Sequence, residues 1–170
     1  MTCKLKRTIR LHASWMLPVL AAACSDSTGP ASGSRAAFDQ ARQRWEAQGI
    51  ADYRVTMNRI CECLSGGPVV VVVAGGAVVG VSDLAGTLPL PSEIAASYPS
   101  IEELFDRIGS ALDSGAVVEA EYHPELGHPL EVLIDPVPDA VDDEVLWRIS
   151  DLAPGAGAAA RADLAAGRQR

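Results

Sequence analysis

The sequence predicts an α+β domain in which helices pack on one face of an antiparallel sheet. Three observations carry this. Apolar residues recur at helical spacing in two segments, 36–48 and 100–115. Alternation with a period of two marks 52–63 and 116–123, the pattern of a strand with one buried face. Gly75-Gly76 joins two valine-rich runs, and a pair of glycines supplies the positive φ angles that a two-residue hairpin turn needs. The resulting order is helix, three strands, helix, three strands: two helix-then-three-strand units spanning residues 36–152.

Each element has its own justification. In 36–48, Phe38, Ala41 and Trp45 fall on one helix face, with Ser34 as a cap and Gly49 as a stop. In 52–63, Tyr53, Val55, Met57, Cys61 and Cys63 share one face, and Arg54, Thr56, Asn58 and Glu62 the other. Arg59 and Ile60 break the alternation, as a bulge or an early strand edge does. The runs 68–74 and 77–81 form the hairpin, and Val70, Val72 and Val79 mark its outer surface as a place for a partner. A Pro-rich connection, 84–99, holds one helical turn at 93–97. Ser100 and Glu103 form a capping box, followed by Ile101, Leu104, Phe105, Ile108 and Leu112 at helical spacing. In 116–123, Val118, Ala120 and Tyr122 point inward. A turn (124–129), a strand (130–134), an acidic loop (135–143) and a last strand (144–152) follow. Residues 153–170 are low complexity and read as a disordered tail.

The segment ahead of the domain reads differently. Lys4, Lys6, Arg7 and Arg10 precede an apolar run, 13–23, that ends in small residues before Cys24. Eleven apolar residues in a helix span roughly 16 Å, too short for a hydrocarbon core of about 30 Å. A basic start, a short apolar middle and a small-residue exit make up a secretory signal over residues 1–23. Leu20-Ala21-Ala22-Ala23-Cys24 is similar to the lipobox of bacterial lipoproteins, with Ala21 where Leu is usual, and so nominates Cys24 for lipidation and a membrane anchor. An ordinary A-x-A cleavage is the alternative. Residues 24–35, rich in Ser, Gly and Pro, suit a flexible tether.

Export changes the charge. Removing 1–23 takes four of the 14 basic residues and none of the 22 acidic ones, leaving 10 against 22, a net of −12. Such a domain is repelled by polyanions, which excludes nucleic acid as a partner.

Trp45, Asp52-Tyr53-Arg54, Cys61-x-Cys63, Gly75-Gly76, Ile101-Glu102-Glu103-Leu104-Phe105-Asp106, Tyr122, Gly127-His128-Pro129, Ile134-Asp135 and Asp142-Asp143-Glu144 occur in this order. Together they resemble an uncharacterised family of bacterial secreted lipoproteins, over roughly residues 40–152. His128 stands where that family often has Tyr, and Leu64 where Pro is common. The resemblance implies an envelope domain of unknown function and brings no catalytic residue. The layout is also similar to the PepSY and β-lactamase-inhibitor-like folds, whose members mostly bind other proteins.

Three places offer chemistry. Cys61 and Cys63 are the only thiols left after Cys3 departs and Cys24 is acylated. An oxidising compartment favours a disulfide between them, although two residues along a regular strand put their Cα atoms at the outer limit of disulfide geometry, so the strand must kink. The other readings are two buried reduced cysteines and a redox or metal pair. His123 and His128, with Glu121 and Glu125 nearby, would complete a Cys₂His₂ zinc site only if their turn lay beside the cysteines. Asp135, Asp139, Asp142, Asp143 and Glu144 gather five carboxylates in ten residues, a calcium candidate without EF-hand spacing. No nucleophile elbow, phosphate loop, dinucleotide fingerprint or HExxH is present. The expectation is a non-enzymatic protein-binding or structural module of the envelope, with no cofactor beyond the calcium candidate.

Overall fold

The computed structural model describes residues 30–63 and 67–155, with side chains from Ser34 onward. The expected signal, Cys24 and the start of the tether lie outside the described residues.

Among the described residues, six antiparallel strands form one sheet with three helices. The elements are α1 (Pro30–Gln48), β1 (Tyr53–Ile60), β2 (Val69–Ala74), β3 (Ala77–Ser82), α2 (Ser92–Ala95), α3 (Ile101–Ser114), β4 (Val117–Tyr122), β5 (Pro129–Asp135) and β6 (Val145–Pro154). The strand order is β3-β2-β1-β6-β5-β4, so the meanders β1-β2-β3 and β4-β5-β6 meet along β1 and β6. The β1–β6 register carries one extra residue on β6 opposite Arg54–Thr56. Asp151, in the left-handed region at φ 51°, takes up that bulge.

One sheet face and two helices make the core. Tyr53, Val55, Met57, Val71, Val73, Val132, Trp147 and Ile149 come from the strands. Phe38, Ala41 and Trp45 from α1, and Ile101, Leu104, Phe105 and Ile108 from α3, pack against them. Edge-to-face contacts order the aromatic rings: Phe38 on Phe105 at 6.0 Å and Trp45 on Tyr53 at 5.6 Å. The Ser100 hydroxyl accepts from Glu103 N–H, and the Glu103 carboxylate accepts from Ser100 N–H, so the capping box starts α3 as the sequence predicts. Gly115, at φ 83°, ends it in the left-handed conformation.

Three boundaries differ from the sequence reading, each for a local reason. Helix α1 reaches back to Pro30, so the expected tether (24–35) overlaps its start. Proline is tolerated in a first turn because its missing N–H would be unpaired there anyway. Strand β1 stops at Ile60 instead of running to Cys63, because Cys63 N–H donates to the Cys61 carbonyl at 2.8 Å and closes a tight turn instead of joining the ladder. Strand β6 continues to Pro154, and Gly155 N–H donates to the Asp52 carbonyl at 2.7 Å, so the chain leaves the domain later than residue 153.

Gly127 sets how closely α1 approaches the β4–β5 turn. Its φ is 85°, and a Cβ there would lie 2.8 Å from Arg44 Cβ and from Trp45 N, and closer still to the Ala41 carbonyl oxygen. Glycine is needed for both the angle and the space. Gly127→Ala is expected to destabilise the domain by about 3 kcal/mol, combining backbone strain with overpacking. Equilibrium denaturation in urea measures this, and a loss below about 1 kcal/mol would contradict the close approach.

Candidate functional site

The end of β1 carries the first candidate. Cys61 and Cys63 sit side by side with Cα atoms 5.2 Å apart, inside the usual disulfide range, because the turn after Ile60 draws them together. Cys61 is half-buried and Cys63 exposed. This overturns the expectation that both lie on the buried face as small apolar residues, since the strand that would have aimed them inward has already ended.

Beside the pair lies a cleft of about 330 Å³, floored by Trp147, Ile134 and Val145. Arg59, the break in the alternation, faces this end of the core. Its guanidinium stacks on Tyr98 at 5.7 Å and on Trp147 at 5.9 Å. Arg107 covers the same indole at 5.6 Å and donates to the Ser97 carbonyl at 3.3 Å. The cation that looked out of register is accommodated by aromatic faces, with no need for a bulge in β1.

The acidic loop reaches this cleft through Asp142, Asp143 and Glu144. Asp139, Asp142 and Glu144 are exposed, while Asp135 and Asp143 are half-buried. Among the described residues, no three His, Cys, Asp or Glu side chains come together as a group that would hold a metal ion. The five carboxylates of the calcium candidate are therefore spread along a turn, with Ala140 N–H donating to the Val137 carbonyl at 2.7 Å.

The histidines lie at the far end of β5. His123 and His128 stack at 4.9 Å, and His128 meets Trp45 edge-on at 5.9 Å. His123 Nδ1 accepts from Glu125 N–H (3.2 Å) and Leu126 N–H (3.1 Å), so it serves the turn. Seven residues of β5, at about 3.3 Å each, separate them from the cysteines, and the Cys₂His₂ arrangement does not form.

The second candidate is the sheet face away from the helices. It carries an apolar row, Ile60–Leu146–Leu133, and a second patch of Val70 and Val72, all exposed or half-buried. Between them runs Asn58–Arg148–Glu131, with an Arg148–Glu131 ion pair at 2.8 Å. A groove of about 370 Å³ crosses the β1–β2 side, with Leu84 58 % exposed on its rim. The Asp83 carboxylate holds that rim by accepting from Leu88 N–H and Thr87 N–H, which lowers its pKa. Of the three valines expected to mark the hairpin's outer surface, Val70 and Val72 lie here, whereas Val79, left out of register by the irregularity between Val72 and Val73, lines a separate cleft with Ala95, Ala96 and Tyr98. Sequence reasoning missed Leu133 and Leu146, whose meaning depends on which strands become neighbours.

A family model described as a family of unknown function, DUF6174, matches residues 37–154. The chain belongs to that family. The DUF6174 match takes in all six described strands, α3, α1 from residue 37 onward and the Cys61–Cys63 turn. No curated protein and no solved structure matches the chain.

His128 gives this DUF6174 domain an acid limit. Burial, and secondarily the neighbouring His123, lower its pKa from the usual 6.5 to about 4. The neutral ring is favoured in the fold, so its contribution is full above pH 6.5 and is lost as pH falls from about 6.5 to 4. By pH 5 the loss is on the order of 2 kcal/mol. Thermal melts between pH 7 and 4 are expected to fall less steeply for His128→Phe than for the wild type. Parallel curves would contradict the assignment.

Proposed function

We propose that this chain is exported, is anchored through a lipid on Cys24, and acts in the cell envelope as a binding or structural module rather than as an enzyme. The export half rests on residues 1–24, where a basic start, a short apolar run and small residues lead into cysteine. The binding half is carried by one observation: among the described residues nothing covers the sheet face opposite the helices, which bears two apolar patches around an ion pair. Apolar patches rimmed by polar residues mark surfaces on which proteins dock. We further read the fold as two helix-then-three-strand units, with the β1–β6 pairing as their seam, a layout akin to the PepSY and β-lactamase-inhibitor-like binding domains. A disulfide between Cys61 and Cys63 fits an oxidising envelope.

The occupant of the face is a partner protein of the same envelope, offering a complementary apolar surface. Val72→Lys and Leu133→Lys together are expected to change stability by no more than about 1 kcal/mol, since both side chains stand outside the core. The same change should abolish crosslinking to that partner in bacterial cells, and undiminished crosslinking would contradict the binding reading. For the anchor, metabolic labelling with a fatty acid is expected for the wild type and lost in Cys24→Ala. Equal labelling of both would remove the anchor.

A further inference from the structure

We propose that Cys61 and Cys63 form a thiol–disulfide exchange pair that accepts two electrons from a cysteine-containing peptide segment docked in the adjoining cleft. Four observations lead there. The pair lies outside the β1 ladder, in a turn of its own, so the sheet does not depend on it. With only Glu62 between the two cysteines, a bridge closes almost no loop and constrains the unfolded chain very little. A purely stabilising bridge would be expected to close a longer loop. Their exposures differ, Cys63 being exposed and Cys61 half-buried, so Cys63 is taken as the sulfur that is attacked.

The fourth observation is the cleft. Its floor of Trp147, Ile134 and Val145 is apolar, and its rim carries Arg59 and Arg107 as well as Glu62, Asp142, Asp143 and Glu144. An apolar floor with a rim of both signs suits an extended peptide, whose flanking side chains find apolar or charged partners on either side. The guanidiniums favour a thiolate nearby, while the acidic rim weakens that effect. A small polyanionic thiol would meet four carboxylates against two cations, and is disfavoured.

The exchange balances as follows. A thiolate of the peptide attacks the Cys63 sulfur, forming a mixed disulfide while the Cys61–Cys63 bond breaks and Cys61 leaves as a thiolate. A second peptide thiolate then attacks the peptide sulfur of that mixed disulfide and releases Cys63. The peptide becomes a disulfide, and the chain's two sulfurs take up its two electrons and two protons. This activity is separate from both the anchor and the uncovered sheet face, and its failure leaves those readings standing.

The test uses the full chain with Cys3→Ser and Cys24→Ser, purified without reductant and mixed under nitrogen, with a chelator, with a reduced synthetic peptide containing two cysteines and apolar flanks. Mass spectrometry is expected to show about one equivalent of peptide losing two hydrogens as the chain gains two. The further Cys61→Ser, Cys63→Ser variant should leave the peptide reduced. An oxidised chain that does not react over hours would make the pair structural and overturn the proposal. So would a chain isolated with both thiols free.

Discussion

The Glu102 carboxylate accepts the Tyr53 hydroxyl through one oxygen at 2.8 Å and the Trp45 indole N–H through the other at 3.0 Å. The Tyr53 oxygen in turn accepts the Ile101 N–H at 2.6 Å. That amide is one of the unpaired donors every helix start exposes, and the capping box does not reach it. One side chain from the sheet therefore completes the start of α3, and one carboxylate of α3 holds α1 and β1 in place. Burial, and then the neighbouring Glu102 charge, raise the Tyr53 pKa, so the phenol remains a donor throughout the ordinary pH range. By comparison, the surface ion pairs Arg42–Glu46 and Arg42–Asp106, both at 2.9 Å, contribute little.

This knot orients everything else. Fixing Tyr53 inward sets the parity of β1, so that Val55 and Met57 face the core while Arg54, Thr56, Asn58 and Ile60 face the other way. The same parity brings Arg59 inward, against the faces of Tyr98 and Trp147, and makes Trp147 the floor between two guanidiniums. The cleft beside the cysteines is thus a consequence of where β1 begins and ends. At the opposite end of the domain, Gly127 lets the histidine turn approach the part of α1 that carries Trp45. Two regions far apart in sequence depend on one helix position.

Local signals were legible and juxtapositions were not. The Ser100–Glu103 box, the Gly75-Gly76 turn and the alternation in β4 each act within a few residues, so sequence shows them directly. The Tyr53–Glu102 bond joins residues 49 apart, and nothing in their spacing announces it. The start of α1 at Pro30 is hidden in sequence because Ser, Gly and Pro together read as a tether. For the candidate site, the cysteines were visible, but their exposure depended on a turn that only the Cys63–Cys61 backbone contact defines. The outer apolar row of Ile60, Leu146 and Leu133 comes from three strands, and single-strand patterns do not reveal it.

The most direct test of this account is a double-mutant cycle on Tyr53→Phe and Glu102→Gln, followed by urea denaturation. Tyr53→Phe should cost about 2 to 3 kcal/mol, because the buried Ile101 N–H is left without an acceptor. The cycle should return a coupling of about 1 kcal/mol or more between the two positions. A loss below about 0.5 kcal/mol for Tyr53→Phe, with the two changes simply additive, would show that the carboxylate does not tie helix to sheet.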